Sequence, residues 1–307
     1  LKEDLSIGGR DTPDYVLGEI ATISTNRDGA IVVTDLKEKD VKVFGSDGKF
    51  VRTIGRAGQG PGEFAAAPTY VHFMNKNEIL VVNGLRLSVY KTNGNHVRDI
   101  AVSALNLIDA YPDSRGNFVA TLVVRDESNP RYELRKLDAE LKDLFVIDSS
   151  PLQNSARDGY NPFFPVMRWS PLSGDRTVSG YPRKYELRIH NAKGRLVRKI
   201  EMDADRISIS RKDIEERTAG SPPSSLKNMK TPEFFPYFQY IKTDDEDRIY
   251  VFTWERATNG AGNWTEIFDS SGRYIARALI PGRVPRIEKN YLYAVEDIHS
   301  FLRVMGL

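Results

Sequence analysis

The stretch Phe44-Gly45-Ser46-Asp47-Gly48-Lys49-Phe50-Val51-Arg52-Thr53-Ile54 contains the unit on which the whole chain is built. An aromatic residue ends one strand, polar residues with glycine make a turn, and an alternating apolar run leaves it. Glycine suits such a turn because tight hairpins hold φ positive, where a Cβ is penalised. The pattern returns as Tyr90-Lys-Thr-Asn-Gly94, His190-Asn-Ala-Lys-Gly194 and Phe268-Asp-Ser-Ser-Gly272, each followed by an apolar alternation. A degenerate copy, Leu137-Asp-Ala-Glu-Leu141-Lys-Asp-Leu144, lacks the glycine. Positions 48, 94, 141, 194 and 272 are spaced by 46, 47, 53 and 78 residues.

A second kind of turn precedes each of these. Asp28-Gly29, Lys76-Asn77, Arg115-Gly116, Gly174-Asp175, Glu246-Asp247 and Lys289-Asn290 each stand before a run with strand character, such as Ala30-Ile-Val-Val-Thr34. Two hairpin turns per repeat make four antiparallel strands, and six first turns make six such units. Four-stranded units repeated radially form a β-propeller, the all-β solution that leaves few exposed edges. The last unit, from about Val284, has chain enough for three strands only, whereas residues 3–7 are spare at the start. The expected fold is therefore an all-β, six-bladed propeller whose N-terminal strand completes the last blade. One domain over 1–307 is expected, with a rim insertion at about 203–233.

Composition narrows the chemistry. The 307 residues carry 44 Lys+Arg against 42 Asp+Glu, a formal net charge of +2 with no concentrated basic patch, so no nucleic-acid partner is expected. Hydrophobic residues at 40% exclude disorder, and no apolar run approaches the ~20 residues of a membrane helix. With Cys 0, disulfides, thiol nucleophiles and cysteine-bound metals are excluded. The chain opens at Leu1 without a leader pattern, and the expectation is a processed, extracytoplasmic protein: periplasmic, lipid-anchored at the surface or secreted.

Between the first two units lies Arg52-Thr-Ile-Gly55-Arg-Ala-Gly58-Gln-Gly60-Pro61-Gly62-Glu63-Phe64, then Pro68. This resembles the linker of NHL-type repeats, and Asp28-Gly-Ala-Ile-Val-Val-Thr-Asp35 and Val41-Lys-Val-Phe44 fit the same repeat. The ending Asn290-Tyr-Leu-Tyr-Ala-Val-Glu296 resembles bacterial six-bladed propellers of the NHL/TolB-like group. The likeness is sharp over residues 19–101, looser over 235–307 and weak between. It implies the fold and leaves the function open, since such propellers serve as lyases, lactonases, scaffolds and RNA binders. Gly58, Gly60 and Gly62 let the chain cross to the next blade with Phe64 wedged between the two; an anion cradle of backbone amides is the alternative.

Alternating strand direction puts the short turns on one side of each blade, and the linkers and second-to-third-strand loops on the other. The latter hold the long excursions at 124–131, 149–165, 181–184, 203–232 and 255–263, so any functional surface is expected there. Ser210-Arg-Lys-Asp213 reads as a capping box opening a short helix, either a lid or plain packing. Asn161-Pro-Phe-Phe164-Pro and Glu233-Phe-Phe-Pro236 share a Phe-Phe-Pro lead-in to the next strand. These aromatics are either core between neighbouring blades or the lining of a mouth; the candidate mouth takes its aromatic groups from Tyr70, Trp169, Tyr237 and Trp254, with Arg168, Arg183, Glu255 and Arg256 as polar anchors. Such a mixture suits a sugar, peptide or carboxylated ligand, and the expected partner is a protein or a small-molecule, sugar or peptide ligand at this face.

The four histidines, His72, His96, His190 and His299, lack zinc-site spacing. The resemblance brings in lyases that rely on histidine-bound metal and lactonases that hold calcium through Glu, Asn and Asp. For calcium, the weak candidates are Glu19, Asn83, Asp109 and Asp244. No cofactor is expected, with calcium the one open possibility. No Gly-x-Ser-x-Gly elbow or dinucleotide fingerprint occurs. The reading is a non-catalytic ligand- or protein-binding propeller; the alternative is a calcium-dependent lactonase-type hydrolase or a lyase.

Overall fold

A computed structural model describes residues 2–8, 15–84, 86–102, 105–153, 158–258, 262–281, 283–295 and 302–306. Glu296 and His299 lie outside them. The fold is the six-bladed propeller, built of six four-stranded antiparallel sheets. Strand β1 (Lys2–Ile7) stands apart from its neighbours in sequence. The first sheet is β2 (Ile20–Thr25), β3 (Ile31–Asp35), β4 (Asp40–Phe44) and β5 (Phe50–Ile54). The second is β6 (Tyr70–Phe73), β7 (Glu78–Val82), β8 (Arg86–Lys91) and β9 (His96–Ala101). The third is β10 (Leu107–Pro112), β11 (Phe118–Val124), β12 (Arg131–Leu137) and β13 (Asp143–Pro151). The fourth is β14 (Arg168–Leu172), β15 (Arg176–Gly180), β16 (Glu186–His190) and β17 (Leu196–Glu201). Helices α1 (Arg211–Thr218) and α2 (Pro223–Leu226) interrupt the strands before the fifth sheet, β18 (Tyr240–Thr243), β19 (Ile249–Arg256), β20 (Asn263–Phe268) and β21 (Tyr274–Ile280). The sixth is β22 (Arg283–Glu288), β23 (Tyr291–Val295) and β24 (Leu302–Gly306), and β1 is its fourth strand, pairing Lys2 with Gly306 and Ile7 with Leu302.

Two compact units emerge: residues 1–122, 135–145 and 281–307, and residues 123–134 and 146–280. In the first unit, apolar side chains of adjacent sheets interlock. Ile7, Ile23, Val33 and Phe44 meet Tyr293, Val295 and Leu302, while Val32, Val41 and Ile54 meet Val71, Ile79 and Tyr90 around Phe64. Neighbouring first strands are also stitched by side chains: Val71 N and Phe73 N donate to Thr22 Oγ1 and Ser24 Oγ. In the second unit the core joins Val178, Leu187 and Ile189 to Phe238, Ile241, Val251 and Phe268. No described helix is long and apolar enough to cross a membrane.

The Gly-rich linker provides its own anion. Glu63 turns back into the loop, accepting from Gly60 N at 2.9 Å and pairing with Arg56. A Cβ on Gly58 would lie 2.1 Å from the Glu63 carboxylate. The hydrogen bond from Gly60 and the Arg56 side chain hold that carboxyl below its ordinary range. Where the sequence left an anion cradle open, the loop's amide and glycine surface is taken up by Glu63.

Asp35, fully buried at the end of β3, organises the way into the first sheet. Its carboxylate accepts from Gly18 N (2.6 Å), Glu19 N (3.0 Å) and Glu38 N (3.1 Å), and Lys42 lies 3.5 Å away. Burial pushes its pKa up, but the three amides and Lys42 outweigh that and leave it lowered. A lowered folded pKa contributes stability that is complete above the ordinary carboxylate range and is lost as pH falls through the folded value. Asp35→Asn is expected to cost about 2–3 kcal/mol at neutral pH, because an amide turns a donor toward buried N–H groups. The gap to the native protein should narrow below about pH 4, as measured by urea unfolding at pH 7 and pH 3. An equal gap at both would rule out the charged carboxylate as the cause.

Candidate functional site

The second unit contains an aromatic cleft of about 150 Å³ among the long loops of the fourth and fifth sheets. Local sequence builds its walls. Asn161 opens an Asx turn, its Oδ1 accepting from Phe163 N at 2.8 Å, and Pro162 and Pro165 stiffen the strap on either side of Phe163 and Phe164. The second Phe-Phe-Pro segment brings Phe235 flat against Trp254, with ring centroids 4.5 Å apart and an 11° interplanar angle. Phe163 meets both edge-on, at 5.1 Å from Phe235 and 6.1 Å from Trp254. Buried Phe238 and Tyr240 complete the apolar lining, with Tyr240 stacked on Phe252 at 4.2 Å.

The rim insertion lies over this strap. Backbone bridges join Tyr160 to Met229 and Ser208 to Phe234. Helix α1 has the capping box read from its sequence: Ser210 Oγ accepts from Asp213 N, and the Asp213 side chain takes the Ser210 amide. It buries none of its residues, so polar contacts hold it in place. Arg217 Nε donates to Pro162 O at 3.1 Å, and Arg256 reaches Glu216 (3.1 Å) and Asp213 (3.6 Å). Burial raises the Asp213 carboxyl, yet the Ser210 hydroxyl and amide and Arg256 bring it below its usual range.

Of the residues expected to form the mouth, Arg168 and Trp254 line the cleft. Tyr237 packs behind it, edge-on to Tyr185 at 6.2 Å, with the Arg206 guanidinium 5.0 Å from its ring centre. Arg183 is exposed on the loop between β15 and β16, and half-buried Trp169 follows Arg168 on β14. Glu255 is engaged by Arg277, and Arg256 by the helix. Tyr70 belongs to the first unit, its ring stacked near His72 at 6.5 Å. Sequence reasoning missed Arg217, Phe238, Gln239 and Tyr240, all in the lining. Arg217 closes the mixed-sign run 211–217, which local sequence does not distinguish from a solvated rim; its place at the last turn of α1, one turn after Asp213, is the available signal.

Of the side chains considered for calcium, the carboxylates of Asp109 and Asp244 have protein partners. Asn83 Nδ2 donates to Ser88 Oγ at 3.0 Å, and Asp109 Oδ1 accepts from Thr121 N at 3.1 Å. Asp244 accepts from two turn amides, from Arg248 and from Tyr250 Oη. Glu19 is half-buried and its amide donates to Asp35. Among the described residues no group of three His, Cys, Asp or Glu side chains gathers in a way that would hold a metal ion.

Comparison with known proteins agrees with the architecture. Residues 11–144 match the model of a family described as a 6-bladed beta-propeller, DUF5128. No curated protein matches the sequence. Among solved structures, a "Putative exported protein" from Bacteroides fragilis superposes with TM-score 0.61 at 14% identity, over 99% of this chain and 94% of that one. A member of the duf4221 family from Bacteroides vulgatus gives 0.58 at 11% identity, over 99% and 97%. Virginiamycin B lyase from Staphylococcus aureus gives 0.52 at 9%, over 99% of each chain. At these identities the likeness is one of fold, and the chain is a six-bladed propeller similar to all three.

Proposed function

We infer that this protein is a non-catalytic binding propeller of the NHL-repeat or TolB-like kind, and that the aromatic cleft of the fourth and fifth sheets seats a ligand. One observation carries the reading. The cleft combines rigid, proline-framed aromatic walls with two arginines, Arg168 and Arg217, and the described residues lining it include no carboxylate or imidazole. That is the make-up of a recognition pocket, where few polar groups orient a ligand within apolar walls. Acid–base hydrolysis needs a titratable group placed at the reacting atom. Work outside the cytoplasm accords with the lack of cysteine and with the exported description of the Bacteroides fragilis neighbour.

A mixed small-molecule library screened by saturation-transfer NMR tests this. Ligands that bind the native protein are expected to lose at least ten-fold in affinity to Trp254→Ala, which removes one wall. Hits indifferent to that substitution would move the binding surface elsewhere. Calcium-stimulated turnover of lactones or esters, together with a calcium-dependent rise in melting temperature, would replace the reading with the hydrolase alternative.

A further inference from the structure

We propose that the cleft is specific for a small aryl carboxylate: one flat aromatic ring bearing an acid group. The inference rests on the binding reading above and narrows it to a ligand class. Size comes first. A void of about 150 Å³ has roughly the room that admits one benzene-sized ring. Phe163, Phe164 and Phe238 offer that ring apolar and edge-on contacts.

Charge comes second. Arg217 and Arg168 both line the space, and none of its lining residues is acidic. Arg217 uses Nε on the Pro162 carbonyl, which orients a planar guanidinium whose remaining N–H groups match a carboxylate. Arg256, by holding Glu216 and Asp213 on α1, keeps those two carboxylates occupied. The indole Nε1–H of Trp254 is buried and has no hydrogen-bond partner among the described residues.

The same inventory disfavours an acidic sugar. A pyranose brings several hydroxyls, and each one buried without a partner costs affinity. The lining has few groups to serve them, since the Gln239 amide nitrogen already donates to Thr253 O at 2.6 Å. One face of the Trp254 indole is also covered by Phe235, which reduces what it offers as a stacking platform.

Matched probes decide the matter. Phenylacetate and 4-hydroxyphenylacetate would be titrated beside their neutral amides and beside galacturonate, using calorimetry and saturation-transfer NMR on the whole chain. The acids are expected to bind at least ten-fold more tightly than the amides and than galacturonate. Arg217→Gln should bring the acids down to the level of the amides while leaving the melting temperature within about two degrees, because the helix carrying it is exposed. Amides that match the acids, with both lost in Trp254→Ala, would overturn the carboxylate assignment and leave the binding cleft standing. Tighter binding of galacturonate would overturn the ring. No contact from any probe would overturn the ligand class, while library hits sensitive to Trp254→Ala would still uphold the cleft.

Discussion

Replacing Phe64 by alanine is expected to cost about 3–5 kcal/mol, the range for truncating a buried aromatic ring. Phe64 is completely buried at the junction of the first and second sheets, among Val32, Val41, Ile54, Val71, Ile79 and Tyr90. Its ring meets Tyr90 edge-on at 5.9 Å and passes close over Gly55, where an added Cβ would lie 2.3 Å from the ring. The contact can thus be attacked from both sides. Gly55→Ala meets the ring and also carries a side chain at φ +70°. In the Phe64→Ala background only the backbone penalty remains, so the two losses should sum to more than the double variant shows. Urea unfolding of the four proteins measures this. Strict additivity would mean that Phe64 does not wedge the sheets.

The second large effect is expected from removing residues 2–7. Strand β1 places Ile7 in the core with Leu17, Ile20 and Leu302, and Leu5 closes over Gly48 at the turn of the first sheet. Without it β24 becomes an open edge, a template for pairing with other chains. Loss of Ile7 alone is worth about 2–4 kcal/mol, and the missing ladder adds to it. The shortened chain should melt at least 10 °C lower and self-associate in light scattering. A synthetic peptide Lys-Glu-Asp-Leu-Ser-Ile-Gly should recover part of the loss by strand addition. A shortened chain that stays monomeric with an unchanged melting temperature would show that the sixth sheet does not depend on β1.

The fold was legible because its turns are chemical. All six first turns and all five hairpins of the repeat fall where the glycines and polar runs placed them. The more regular signal, however, is an Asn or Asp at or within the turn. Asn26, Asn75, Asp113 and Asp244 in the first kind, and Asp47, Asn93, Asp138, Asn191 and Asp269 in the second, accept from amides two or four residues on. At Asp269, the Ser271 hydroxyl and the amides of Arg273 and Ser271 hold the carboxyl down to about 2. Asp138 explains the degenerate copy: it fixes the turn although Leu141 stands at φ +64°, a strain offset by burying that leucine against Leu137 and Phe118.

The site was only half legible. Proline and phenylalanine in the two lead-in segments marked the loops that line the candidate cleft, because such residues have little use on a solvated loop unless they pack. The polar groups were harder. Whether Arg256 or Arg217 faces a ligand depends on where α1 lies over the fourth and fifth sheets, and no local spacing encodes that. Glu255 and Arg256 are adjacent in sequence, yet one turns to Arg277 on β21 and the other to the helix.

The pairing of Lys2 with Gly306 also sets an order in time. The first five sheets draw their strands from contiguous chain, so each can form as soon as its own segment has left the ribosome. The sixth cannot, because its outer strand is made before the strands of every other sheet and its partner after them. Until synthesis reaches β24, β1 has no partner, and Leu5 and Ile7 wait uncovered. So distant a contact pays its loop-closure entropy before any reward arrives. Completion of the sixth sheet is therefore the late, slow event in folding, and the interval before it is when the nascent chain most needs protection from its neighbours.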